Sequence, residues 1–253
     1  FDGDGATAGE GHYRLLLDSA KFADENGMTA VWTPERHFHA FGGLYPNPAL
    51  TGAALATTTK NIQVRAGSCV LPLHHPVRVA EDWAVIDNLS NGRAGMAVAS
   101  GWTMDEFILS RDPHGSRRTV MWKNLDMIQR LWRGEGVTFE DANGREVEAK
   151  TLARPLQPEL PVWIPCQSTE SFIEAGRTGA NVLTSLLGGT LEEAAGKIAK
   201  YRAAWDKQGH EKPAGTVSLM AHTFLGADED KVKQEIREPF GAYLKTHYGL
   251  LEN

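Results

Sequence analysis

Short apolar runs that do not alternate with polar residues recur along this chain, and a helix-like segment follows each one. The runs fall at residues 28–33, 62–71, 94–99, 161–166, 181–187 and 216–225. A strand without a polar face is covered on both sides, as in a parallel sheet flanked by helices. The intervening segments at 48–59, 76–89, 115–132, 169–178, 191–208 and 228–245 read as helices, as does 8–26 ahead of the first strand. Pro76 opens one of them and Asn91-Gly92 closes it. Strand–helix alternation leaves a doubly wound sheet or an eight-stranded barrel. Neither GxGxxG nor GxxxxGK[ST] follows the first strand, which weighs against a nucleotide-binding doubly wound sheet. Six strands are visible, with no strand before the first helix and none after the last. The expectation is therefore an α/β fold, an eight-stranded parallel (β/α)8 TIM-type barrel incomplete at both ends of the sequence. Residues 136–150 break the pattern and read as an inserted hairpin, and 1–253 as a single barrel domain.

Composition narrows the partners. The chain has 253 residues and a formal net charge of −6, so no nucleic-acid partner is expected, because such a partner needs a clustered basic surface. No apolar run reaches the length of a membrane span and no leader pattern opens the chain. Cys69 and Cys166 alone make no disulfide framework, and a cytoplasmic location is expected.

In a barrel, chemistry sits on the loops that follow the strands. The first strand leads into Pro34-Glu35-Arg36-His37-Phe38-His39. Glu35, Arg36 and His37 set an acid, a cation and a proton-exchanging ring side by side; they also read as an ion pair beside a solvated His. His37 and His39 lack further ligands at metal spacing, so no metal is expected. His74-His75-Pro76 reads as a turn or as a second pair of titratable rings. Gly67-Ser68 interrupts a strand, which marks a bulge or a close approach. Gln167 to Ser171 precedes a helix whose free N–H groups could hold a phosphate or simply be capped by Ser168 or Thr169. That loop contains no Lys or Arg, so a phosphate would need a basic partner elsewhere. His222 is read inside the sixth strand, and Phe38, Phe41, Tyr45 and Trp102 as pocket aromatics.

The same segments resemble the bacterial luciferase-like family of flavin-dependent monooxygenases. The likeness rests on Val31-Trp32, Glu35-Arg36-His37-Phe38, Asn47-Pro48, Val70-Leu71-Pro72, His75-Pro76-Val77-Arg78, Ala80-Glu81-Asp82, Leu89-Ser90 and Gly92-Arg93, in that order. Pro-Glu-Arg-His-Phe, Pro-Leu-His-His-Pro and Ala-Ser-Gly-Trp resemble the natural-product-biosynthesis branch. The resemblance implies an enzyme that uses FMN as FMNH2, with O2 as cosubstrate, to oxygenate a small-molecule or carrier-bound intermediate through a C4a-hydroperoxide. It also implies a separate flavin reductase and a homodimer. It places Gly67 and Ser68 beside the isoalloxazine, joined by a cis peptide, Ser100 and Gly101 near the flavin, and Gln167, Ser168 and Ser171 at the phosphate. Luciferase itself has Glu-His-His in the first loop and a basic residue in place of Ser100. Here Arg36 replaces the first His, so acid–base work passes to His37, with Arg36 and Glu35 as charged companions. An F420-dependent hydride-transfer enzyme of the same superfamily and a non-catalytic flavin-binding barrel are the alternatives.

Overall fold

The computed structural model describes residues 11–39, 42–186, 189–210 and 215–251. Phe41, the start of the first helix at residue 8 and the end of the fifth core strand at 187 lie outside them. The main strands are β1 (Ala30–Thr33), β2 (Gln63–Val70), β3 (Ala94–Ala99), β6 (Val162–Pro165), β7 (Asn181–Ser185) and β8 (Val217–Met220). A separate antiparallel pair, β4 (Val137–Glu140) and β5 (Glu146–Ala149), is the expected hairpin. The six main strands form one curled, all-parallel sheet in the order β1-β2-β3-β6-β7-β8. Each strand pairs with the next in sequence, which is the winding of a barrel wall. The wall is half a barrel: among the described residues β1 and β8 are its two edges, and its six strands are those read from the sequence of an incomplete barrel.

The helices are α1 (Arg14–Glu25), α2 (Pro48–Thr58), α3 (Pro76–Leu89), α4 (Arg117–Arg133), α5 (Thr169–Thr178), α6 (Leu191–Gln208) and α7 (Glu229–Leu251). Local chemistry sets their ends. Asn47 accepts from the Ala49 N–H and Pro48 opens α2. Thr190 and Glu193 form a capping box on α6. The main core lies between helices and sheet, where Trp83, Ile86, Ile128, Leu131 and Trp132 pack on Val64, Ala66, Met96 and Val98. Most of its attraction comes from removing these side chains from water. The opposite face of β2 carries Arg65, its guanidinium carbon 4.9 Å from the Trp32 ring centroid and 4.0 Å from that of Trp163. Burial there lowers its pKa to about 10.

One element is shorter than read from sequence. β8 ends at Met220, paired with Ser185, the last residue of β7. His222 therefore lies outside the strand, with its ring 4.8 Å from Tyr243 and 5.3 Å from Phe240 of α7.

Candidate active site

The strand ends bring two groups of side chains to one edge of the sheet. The first centres on Glu35, in the loop after β1, whose side chain is wholly buried. Its Oε1 accepts from Nε2 of His37 at 2.9 Å and Nε2 of His74 at 2.7 Å. Its Oε2 accepts the backbone N–H of Val70 at 2.7 Å. Burial pushes the Glu35 carboxyl up, but the bonds from His37, His74 and Val70 outweigh it and hold the group below the usual carboxylate range. Burial likewise opposes charge on His74, yet its bond to Glu35, the Glu35 charge and that of Asp82 raise its pKa. The thiol of Cys69 is pushed well up by burial and by the adjacent Glu35 charge, so it is an inert neighbour. Glu35, Cys69 and His74 bring three metal-ligand atoms within 4.8 Å of one another. The hydrogen bonds that Glu35 makes already account for that convergence.

Tertiary contacts fix this group in place. His74 follows a 3-10 turn, Leu71–Leu73, that Asn124 of α4 anchors by donating to the Leu71 carbonyl at 3.1 Å. The Arg36 N–H donates to the Tyr45 carbonyl at 2.9 Å, and Phe38 takes a left-handed φ of 55°. Buried Glu106, from the 3-10 segment Asp105–Leu109, accepts the His37 backbone N–H at 3.2 Å. Arg36 lies against the Trp102 ring, its guanidinium carbon 4.9 Å from the centroid, and burial lowers its pKa while Glu106 and Tyr243 oppose that.

The second group lines an open cleft of about 540 Å³ bounded by Ser100, Gly101, Trp102, Arg118, Gln167, Ser168, Ser171 and Glu170. Ser168 caps α5 by accepting the Ser171 N–H at 3.2 Å, and the Ser171 hydroxyl donates back to the Ser168 carbonyl at 2.8 Å. Gln167 is turned toward β7, donating to Ser185 Oγ at 2.9 Å. Arg118, at the start of α4, is the basic side chain among the described residues of this lining. The adjacent backbone N–H and the Ser168 side chain at the start of α5 hold the Glu170 carboxyl low. A carboxylate thus stands at the helix N-terminus, where an anion is favoured.

The cofactor residues expected from sequence divide between these places. Ser100, Gly101, Gln167, Ser168 and Ser171 share the cleft; Gly67 and Ser68 lie in β2, outside its lining. The Gly67–Ser68 peptide is cis as expected, and Ser68 is the extra residue of a bulge between the pairs Gly67–Ala97 and Cys69–Val98. Gly67 has a packing reason too, since a Cβ there would stand 3.0 Å from that of Trp32. Gly101 takes φ +83°, and a Cβ would meet Phe107 at 2.9 Å. Sequence reading missed Arg118 and Glu106 and left His74 open between a turn and a titratable ring. Arg118 had a faint signal, an Arg pair opening a helix; for Glu106 the spacing offered none. His75 stays apart, its ring 5.0 Å from Phe139.

Comparison with known proteins fits this arrangement. A family model described as luciferase-like monooxygenase matches residues 1–252. The oxygenase component of a flavin-dependent trigonelline monooxygenase from Acinetobacter baylyi is 28% identical over 248 residues, covering 92% of this chain and 67% of that protein. Monooxygenase RslO1 from Streptomyces bottropensis superposes with a TM-score of 0.79 at 26% identity, over 88% of this chain and 69% of the other. The FMN-bound oxygenating constituent of a 3,6-diketocamphane monooxygenase from Pseudomonas putida shares the fold, with a TM-score of 0.82 at 18% identity over 98% and 74% of the two chains. The chain therefore spans about two thirds of the length of the curated relative it matches.

Proposed function

The chain belongs to the luciferase-like monooxygenase family, and from that premise we propose that it is the oxygenase of a two-component system. It would take FMNH2 from a separate reductase and use O2 to oxygenate a small-molecule or carrier-bound intermediate of natural-product biosynthesis. The closed eight-stranded barrel belongs to the same reading. The observation that carries it is the pairing, at one sheet edge, of an anion-receptive cleft with a buried acid–base group, bridged by Arg36 on Trp102.

The donor set fits a flavin phosphate. Arg118 supplies a full charge and the α5 N-terminus its N–H groups and hydroxyls, and together they suit a phosphomonoester once Glu170 moves aside. Bound reduced flavin would supply the electrons that activate O2. The protein would supply the rest. Glu35, ionised and buried, commits Nε2 of His37 to donation and leaves Nδ1 as the atom that takes or gives a proton. Arg36 stays cationic, because burial does not bring a guanidinium near neutral pH, and serves as a charge partner for anionic groups.

Titration with FMN, FMNH2 and F420, followed by oxygen uptake under reductase supply, tests this reading. FMNH2 binding with substrate-dependent oxygen uptake is expected. Binding of F420 alone would favour the hydride-transfer alternative, and flavin binding without any oxidation the non-catalytic barrel. His37→Ala should lower product formation more than flavin affinity; unchanged turnover would remove His37 from the chemistry.

A further inference from the structure

Two imidazoles meet at one carboxylate oxygen. Nε2 of His37 and Nε2 of His74 both lie within hydrogen-bond distance of Glu35 Oε1. An ionised carboxylate only accepts, so each ring places a proton on Nε2 and takes any further proton at Nδ1. The side chains are 11% exposed for His37 and 22% for His74, so water screens neither strongly. We propose that His74 is a positioning residue for His37: the rings share one negative charge, so protonation of either sets the protonation of the other.

The inference rests on the reading of His37 as the acid–base group. The first proton added to either Nδ1 makes an imidazolium whose charge Glu35 balances. A second proton must enter beside a pair that is already neutral overall and beside another cation hydrogen-bonded to the same oxygen. The two rings then titrate as a unit, with midpoints that belong to the pair. Other polar and charged groups face the pair. The neutral Cys69 thiol and the Val70 N–H come from β2, and Asp82, paired with Arg78 at 3.7 Å, comes from α3. Glu106 bonds the His37 backbone, and Arg36 leaves the same loop toward Trp102. These set the absolute midpoints. The shared oxygen sets the coupling.

NMR titration of ring-labelled histidine, in the full chain without flavin, reads this directly. In His74→Gln the amide can still donate to Glu35 but carries no proton to compete. The His37 midpoint should then rise by about one pH unit, the scale at which two sites count as coupled. His37→Gln reads the same coupling from the other ring: the midpoints of the two variants should together exceed the two wild-type midpoints by about one pH unit. Variant midpoints that sum to no more than the two wild-type midpoints would overturn the proposal. A merely structural role for His74 would lower the melting temperature and leave the midpoint in place. Should either variant fail to fold, the wild-type curves decide: two-step titrations with shared midpoints support the coupling, and independent single steps overturn it. Reciprocal shifts in a protein that binds no flavin would break the proposed function alone. Oxygenase activity with independent titrations would break this inference alone.

Discussion

The buried Glu35 group and the open cleft at α5 stand at the same edge of the same sheet and are built in opposite ways. Around Glu35, a carboxylate is removed from water and held ionised by two imidazoles and a backbone N–H drawn from residues 37, 74 and 70. Around Ser168, a hydroxyl caps its own helix three residues away, in water, beside an exposed arginine. The first arrangement exists only once β1 and β2 have paired. The second needs only a helix to start. Groups brought together by tertiary packing are costly to break and strongly shift one another's ionisation, whereas a local exposed motif is cheap to alter and tuned by single charges.

Substitutions should expose that contrast. The largest effect is expected for Glu35→Leu, which leaves two rings and the Val70 N–H without their acceptor in a buried place. A loss of about 3–5 kcal/mol in urea denaturation is expected, as for breaking one side of a buried pair. A loss below about 1 kcal/mol would show that water reaches the group and that the contrast is false.

The pH dependence of stability comes next. The folded Glu35 carboxyl lies below its ordinary value, so its contribution is full above the unfolded carboxyl pKa, about 4.3, and is lost as pH falls through the folded value. His74 lies above its ordinary value, so its contribution is full below about 6.5 and fades as pH rises through the folded value. Denaturation midpoints of wild type and Glu35→Gln should therefore diverge most between these limits and converge at acid pH. Parallel curves would deny Glu35 an ionised native state.

In the cleft the effects are smaller and are read by ligand choice. Arg118→Met should weaken FMN about tenfold while sparing riboflavin, since about 1.4 kcal/mol of charge-assisted bonding to phosphate is removed. Equal loss for both flavins would move the phosphate away from Arg118. Ser168→Ala should cost about 1 kcal/mol of stability, the usual value of an N-cap, without moving the pH profile. The smallest effect is expected for Glu170→Gln, which clears a carboxylate from the helix N-terminus. A two- to five-fold gain for FMN over riboflavin corresponds to about 0.5–1 kcal/mol, the range of a helix-end charge. Weaker FMN binding in that variant would mean that the carboxylate helps the ligand.

Legibility follows the same division. Helices α3, α5 and α6 begin at Pro76, Thr169 and Leu191, as read from the sequence, because helix-start signals are local. The Ser168 cap and the bulge at Gly67-Ser68 were readable for the same reason. The pairing of His74 with Glu35 spans 39 residues and that of Glu106 with His37 spans 69, and no short pattern announces either. β8 is shorter than its apolar run, which continues past Met220, while among the described residues the last β7 partner is Ser185. Apolarity is a property of the run; strand length is a property of the pair.

The sequence by itself determined the parallel, helix-covered sheet, the inserted hairpin, the order of the strands and the family to which the chain belongs. These follow from the period of apolar residues and from end signals that act within a few positions. Only the tertiary structure decided which titratable groups meet at one oxygen and that Arg118 lines the same cleft as the α5 N-terminus. Burial and hydrogen-bond distance arise between elements, and the curl of the sheet, rather than any one segment, brings Glu35, His37 and His74 to a single oxygen.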